Sequence, residues 1–189
     1  MESLQECRRC SLWKRATQAV PGEGRRPAAV LLVGEQPGDE EDRSGHPFVG
    51  PAGRVLDEAI EAAGLRRPDL FITNAVKHFK WEPRGKRRLH KKPSLAEIRA
   101  CHVWLEQEID AVHPAVLVAL GATALRALTG ASTSIEQSRR AVLHHPGGAR
   151  IVATYHPSAI LRADERAAEL RGYLVADLKR AAALIGPVS

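Results

Sequence analysis

The stretch AAVLLVGEQPG, residues 28–38, decides the fold of this chain. Its first six residues are a continuous apolar run, which is typical of a strand buried on both faces. Residues 34–38 follow as a polar turn with two glycines. A turn of this kind after a buried strand indicates the carboxyl edge of a parallel sheet, where ligands bind in α/β proteins. The alternative is a simple strand-to-helix turn.

Three more apolar runs have the same character and alternate with segments of helical spacing. The further strands are predicted at residues 70–73, 115–120 and 150–155. The helices are predicted at residues 52–63, 95–112, 122–128 and about 170–185. This alternation predicts a three-layer α/β/α sandwich around a four-stranded, mainly parallel sheet. We expect one domain, residues 1–189, with an N-terminal arm at about 1–26 and a basic insert loop at about 77–93.

Three polar motifs follow the ends of predicted strands. Glu35 follows the first strand, Asn74 the second and His156 the fourth. Because the carboxyl ends of parallel strands share one edge, we expect these side chains to lie close together. Asn74 could instead only form a turn. Phe48 lies on a loop rich in glycine and proline, where it could be a core residue or an exposed stacking ring.

Positive charge is concentrated in the insert loop. Residues 77–92 contain eight Lys and Arg residues against the single acid Glu82, while the whole chain has a net charge of +6. A concentrated positive loop attracts a polyanion, and a nucleic acid is the usual one. The apolar rings of Phe79 and Trp81 would anchor the loop. The alternative is a solvated charge run without a partner.

The cysteine pattern favours a metal site. The chain has three cysteines, an odd number that argues against a disulfide framework. Cys7 and Cys10 form a C-x-x-C pair, a spacing that lets two thiolates reach one metal or cluster. Nearby arginines and lysines are expected to lower the thiol pKa values. No apolar run reaches the ~18 residues that span a bilayer, and we expect a cytoplasmic protein.

Four motifs together resemble the iron–sulfur uracil-DNA glycosylases called family 4. They are GEQPG at 34–38, PFVGPAG at 47–53, TNAVKH at 73–78 and HPSAILR at 156–162. Gln36 and the segment KRRLH at 86–90 resemble one branch, UdgX, which excises uracil and then stays covalently joined to the abasic sugar. That branch carries KRRIH, so Leu89 is a mild departure.

The resemblance implies a [4Fe–4S] cluster with one unusual ligand. The family carries four cysteines on its cluster, and the third ends a TNxVKC segment that here ends in His78. The implied ligands are three cysteines and one histidine, namely Cys7, Cys10, His78 and Cys101. Imidazole is a chemically sensible substitute, as in Rieske centres. Alternatively, the cysteines hold zinc or nothing, or His113 or His144 supplies the fourth ligand.

The resemblance also implies roles at the strand-end edge. The catalytic residues would be Glu35, His90 and His156, and the uracil-binding residues would be Gln36, Phe48, Asn74 and His156. The DNA-binding residues would be Lys86, Arg87, Arg88, Ser158 and Arg162. The Asn74 amide suits the O4 and N3–H of uracil. Glu35 would orient His90, which would attack C1′ after the base departs.

These roles make the chain a uracil-DNA glycosylase that works once and is cross-linked to the abasic site through His90. The expected partners are uracil-containing DNA, single-stranded DNA especially, and free uracil as product, with no membrane and a monomeric chain. One alternative is a conventional family-4 enzyme that turns over, and another is a non-catalytic iron–sulfur DNA-binding module. A flavodoxin-like nucleotide binder is disfavoured, because the first turn lacks the G-x-G-x-x-G fingerprint and the P-loop lysine.

Overall fold

The structure is a computed structural model that describes residues 3–186, so residues 1–2 of the predicted arm and residues 187–189 lie outside it. The described strands are β1 (Glu23–Gly24), β2 (Val30–Gly34), β3 (Phe71–Asn74), β4 (Trp81–Arg84), β5 (Arg87–His90), β6 (Val116–Leu120), β7 (Leu143–His144) and β8 (Arg150–Thr154). The described helices are α1 (Asp39–Ser44), α2 (Pro51–Ala62), α3 (Leu95–Val112), α4 (Ala122–Thr129), α5 (Ile135–Ser138), α6 (Pro157–Leu161) and α7 (Ala167–Leu184).

Six strands form the central sheet in the order β1-β3-β2-β6-β8-β7. The four inner strands run parallel, which confirms the predicted α/β class and the mainly parallel sheet. The predicted number of four strands was too low, because β1 and β7 add antiparallel edges. Each edge strand spans only two residues, which is too short to produce a hydrophobic period in the sequence.

Side chains of the inner strands alternate between two cores, one on each face of the sheet. Leu31 and Leu117 belong to the core that α3 and α4 cover. Leu32 and Val118 belong to the core that α2, α6 and α7 cover. Helices on both faces of a sheet make the predicted three-layer sandwich. Within residues 3–186, no helix is both long and apolar enough to cross a bilayer.

The helix flanking the basic insert begins where the sequence predicts. Ser94 Oγ accepts a hydrogen bond from the Glu97 backbone N–H at 3.2 Å, and the Glu97 carboxylate accepts one from the Ser94 N–H at 2.6 Å. This reciprocal capping box fixes the start of α3. The acidic run at residues 39–42 forms the first turn of α1, where carboxylates are stabilised by the helix dipole.

The basic insert was predicted as a loop, and it contains the hairpin β4–β5. Trp81 pairs with His90 and Pro83 with Arg88, so these four residues share one face of the hairpin. Charged residues occupy both faces of this ribbon. No alternation of apolar and polar residues was therefore available to reveal the strands in the sequence.

Candidate active site

The three strand-end motifs meet at one edge of the sheet. Gly34 and Asn74 are register partners across β2 and β3. Beyond them, the backbone N–H of Val76 donates to the carbonyl oxygen of Glu35 at 3.0 Å. His156 begins α6 immediately after β8, and its Cβ lies 3.0 Å from the position that a Cβ on Gly121 would occupy. The expected convergence of these motifs is therefore present in the structure.

Phe48 and Asn74 form the buried part of this cleft. A Cβ placed on Gly34 would lie 2.4 Å from Asn74 Oδ1 and 2.5 Å from Phe48 Cζ, so only glycine lets these two side chains pack against the end of β2. Phe48 is buried and has a φ of +54°, which is uncommon for an aromatic residue and is a strain typical of functional sites. Asn74 Oδ1 is buried and has no hydrogen-bond partner within residues 3–186. A buried acceptor in this state can accept a hydrogen bond from a ligand N–H.

Glu35 and His90 are in contact at the mouth of the cleft. His90 Nε2 lies 3.1 Å from Glu35 Oε1, and the His90 and Glu35 side chains are 52% and 20% exposed. Glu35 Oε2 accepts a hydrogen bond from the Thr123 hydroxyl. Burial raises the pKa of Glu35, but hydrogen bonds from His90 and Thr123 outweigh it and place the pKa below its ordinary value. Glu35 is therefore a carboxylate that orients the His90 ring.

His156 is held as a neutral hydrogen-bond donor. Its Nδ1 accepts hydrogen bonds from the Ser158 N–H at 3.1 Å and the Ser158 hydroxyl at 2.8 Å. Burial lowers the pKa of His156 to about 4, against the opposing effect of Glu35. A neutral imidazole that accepts at Nδ1 carries its proton on Nε2. The ring lies 5.8 Å from the Phe48 ring, centroid to centroid, so this N–H belongs to the same cleft.

Gln36, predicted to bind uracil, has both ends of its side-chain amide engaged at the base of the hairpin. Its Nε2 donates to the Lys91 carbonyl at 2.9 Å, and its Oε1 accepts from the Lys80 N–H at 3.0 Å. These hydrogen bonds hold the two ends of the insert against the turn that carries Glu35. The observed role of the Gln36 side chain is to anchor the hairpin.

Arg88, predicted to bind DNA, is engaged within the protein. Its guanidinium donates to Asp39 and to Asp42, the latter at 2.6 Å. It also lies 5.4 Å from the ring centroids of both Phe79 and Trp81, and its side chain is only 13% exposed. Arg88 therefore fastens the hairpin to α1. Sequence reasoning had given the two aspartates no role, because their partner lies more than forty residues away along the chain.

Of the other predicted DNA contacts, three are exposed and Ser158 is half-buried. Lys86 and Arg87 are exposed at the tip of the hairpin, and within residues 3–186 neither is recorded in a salt bridge. Arg162 is exposed after α6, close enough to affect the pKa of His156. Ser158 contacts the His156 ring.

The predicted cluster ligands have features of a metal site. Cys7, Cys10 and Cys101 are free thiols. Cys101 Sγ accepts a hydrogen bond from the Lys77 N–H, and Cys7 Sγ accepts one from the Trp104 indole, both at 3.2 Å. N–H donors aimed at sulfur suit a ligating thiolate. His78 is buried and has no recorded hydrogen bond among the described residues.

The thiol pKa values and the spacing of the ligands both bear on the predicted metal site. Burial raises the pKa of Cys10, so the expected lowering by nearby basic residues is wrong for this thiol. Burial also raises the pKa of Cys101, to about 11. Within residues 3–186, no three His, Cys, Asp or Glu side chains converge closely enough to hold a single metal ion. A [4Fe–4S] cluster takes one ligand per iron and spreads its ligands more widely, so the cluster stays a prediction.

Comparison with known proteins agrees with this geometry. The family model described as "Uracil DNA glycosylase superfamily" matches residues 21–179. The chain is 38% identical over 185 residues to the type-4 uracil-DNA glycosylase of Thermotoga maritima, covering 97% of this chain and 92% of the relative. It is 39% identical to the type-4 enzyme of Pyrobaculum aerophilum, covering 85% and 82%, and 32% identical to the type-5 enzyme of that organism, covering 84% and 74%. The chain therefore belongs to the uracil DNA glycosylase superfamily.

Proposed function

We propose that the protein excises uracil from DNA and then remains covalently bound to the abasic sugar through His90. The observation that carries the proposal is the contact between His90 Nε2 and Glu35 Oε1 at 3.1 Å. It brings a half-exposed imidazole to the mouth of the cleft that Phe48, Asn74 and His156 line. A nucleophile paired with an orienting carboxylate is the usual arrangement for covalent catalysis.

Base recognition rests on Asn74 and Phe48. A base within a duplex is out of reach, so the uracil must be extruded or lie in single-stranded DNA. Asn74 Oδ1, the buried acceptor without a partner, would accept from the uracil N3–H, while the amide nitrogen donates to O4. Cytosine presents an acceptor at N3 and donors at N4, so both contacts fail. Phe48 would stack on the base.

Cleavage of the C1′–N1 bond leaves its electron pair on uracil and positive charge on the sugar. The Nε2–H of neutral His156 would donate to uracil O2 and stabilise that anion, which then takes a proton from solvent. The Glu35 carboxylate would stabilise the sugar cation. The His90 nitrogen that does not face Glu35 would then attack C1′ with its lone pair. The first product is an N-alkylated imidazolium, which becomes neutral when its Nε2 proton passes to the Glu35 carboxylate and from there to solvent.

The test uses a labelled single-stranded oligonucleotide with one uracil. We expect a heat- and SDS-stable protein–DNA adduct, which the His90→Ser variant lacks. His102→Ser is the matched control, because His102 is also partly exposed and also contacts a glutamate, Glu106, at 3.4 Å. A wild-type protein that releases uracil without forming an adduct would refute the covalent step.

Conventional turnover is the second candidate, favoured by the similarity to type-4 uracil-DNA glycosylases. In that case water, not His90, completes the reaction at C1′. The same gel separates the two candidates, since turnover gives free uracil and a cleavable abasic strand. Absence of both adduct and uracil would leave only a DNA-binding module.

We further propose that Cys7, Cys10, His78 and Cys101 hold a [4Fe–4S] cluster. The three free thiols and the N–H groups directed at two of their sulfurs support this assignment. When bound, the cluster would supply covalent cross-links between the arm, the segment after β3 and α3. His78 and Cys101 lie on either side of the hairpin in the chain, so these cross-links would hold both of its ends. Iron and sulfide analysis of the purified protein tests the assignment.

A further inference from the structure

Lys77 is a fully buried lysine, with a side chain that is 0% exposed. Its ammonium nitrogen lies 2.6 Å from Thr73 Oγ1, 2.8 Å from the carbonyl oxygen of Asn74 and 2.6 Å from Glu108 Oε2. All three of its N–H donors therefore have acceptors. Lysine is almost never fully buried without a paired charge, and here the paired charge is Glu108.

Glu108 connects three separate segments. It lies on α3, and its side chain is 12% exposed. Besides Lys77, its Oε2 accepts the Thr73 hydroxyl at 2.6 Å, while its Oε1 accepts the Gly22 N–H at 2.7 Å. The ion pair thus joins α3, the end of β3 and the end of the N-terminal arm.

The pair acts on the backbone that presents Asn74. On one side, Lys77 Nζ donates a hydrogen bond to the Asn74 carbonyl oxygen. On the other side, the N–H of Ala75 donates to the Gly34 carbonyl at 2.9 Å and that of Val76 to the Glu35 carbonyl at 3.0 Å. The peptide after Asn74 is therefore fixed from both sides, and the side-chain oxygen of Asn74 lies against Gly34 and Phe48.

Stability alone does not account for this arrangement. Replacing a buried ion pair with apolar residues of similar volume is often neutral or stabilising. We propose that Lys77 and Glu108 are positioning residues that fix the direction of the Asn74 amide and thereby set the discrimination between uracil and cytosine. The inference rests on the proposed function, in which Asn74 reads the base. Neither Lys77 nor Glu108 touches the substrate.

The test is the double variant Lys77→Met/Glu108→Met, which removes both charges together and leaves no unpaired ion. Its affinity is measured for two oligonucleotides, one with a non-cleavable 2′-fluorouridine and one with a matched cytidine analogue. We expect a folded protein whose preference for uracil falls about 10²-fold, because small displacements of a positioning contact have effects of that size. The second-order rate constant of uracil release, measured under single-turnover conditions, should fall to a similar extent.

Asp177→Asn is the matched control. Asp177 lies on α7, is a buried acid paired with Arg139, and lies outside this network. It should lower the melting temperature without changing the uracil preference.

If the double variant does not fold, Glu108→Gln replaces it and should reduce the preference by about tenfold, because the loss of one charged hydrogen bond has an effect of that order. A folded variant with wild-type preference would overturn the positioning role alone. A wild-type protein without uracil preference would overturn the proposed function as well.

Discussion

The Glu35→Gln variant tests the link between the His90–Glu35 contact and the covalent step. The substitution keeps an acceptor for His90 and removes the negative charge 3.1 Å from its Nε2. Between two unit charges at this distance, Coulomb's law gives about 5 kcal/mol at an effective dielectric constant of about 20 and about 1 kcal/mol in bulk water. Because His90 is half exposed, we take about 3 kcal/mol, which corresponds to a rate about 10²-fold slower.

The assay is a quenched time course with uracil-containing single-stranded DNA, in which adduct and released uracil are measured from the same samples. Adduct formation should slow about 10²-fold in Glu35→Gln. Glu82→Gln is the matched control, because Glu82 is an exposed acid on the same hairpin that pairs with Lys91 at 3.0 Å. A folded Glu35→Gln protein that forms adduct within twofold of the wild-type rate would refute this reasoning.

Three further predictions concern the cleft. Asn74→Asp should lose selectivity for uracil in the release assay, because a carboxylate cannot donate to O4; unchanged selectivity would contradict the assigned role. Gly34→Ala should lower the single-turnover rate constant of uracil release by about tenfold or more, since its Cβ would lie 2.4 Å from Asn74 Oδ1, and melting curves check that the fold survives. The lowered pKa of His156, about 4, makes stability fall as the pH drops from about 6.5 towards 4, because the unfolded state binds the extra proton. Urea denaturation across that range should show a shallower pH dependence in His156→Gln.

The sheet and its functional edge could be predicted because their signals are local. The run at residues 28–33 and the polar residues after it are adjacent in the chain, and the structure places Glu35, Asn74 and His156 at one edge. The edge strands and the hairpin could not be predicted in the same way. Two-residue strands have no period, and the hairpin carries charge on both faces.

The electrostatic reading of the insert was only partly correct. Lys77 had been counted as a DNA-attracting cation, yet it is fully buried against Glu108. Lys80 pairs with Glu97 at 2.9 Å, and Arg88 pairs with two aspartates of α1. These partners approach only in the folded chain, so a count of charges along the sequence could not separate structural cations from those free to meet phosphate. The exposed Lys86 and Arg87 remain candidates for that contact.

Whether the protein traps its substrate depends on where the hairpin is when uracil departs. Gln36 holds both ends of the insert, Arg88 fastens its middle to α1, and Glu35 holds the His90 ring at 3.1 Å. In the proposed mechanism, these contacts would let the imidazole reach the anomeric carbon without a diffusional step. Water would then compete with a nucleophile that is already oriented. A substitution that removes the contacts of Gln36, Arg88 or Glu35 should therefore shift the products from adduct towards free abasic DNA, even though His90 itself is unchanged.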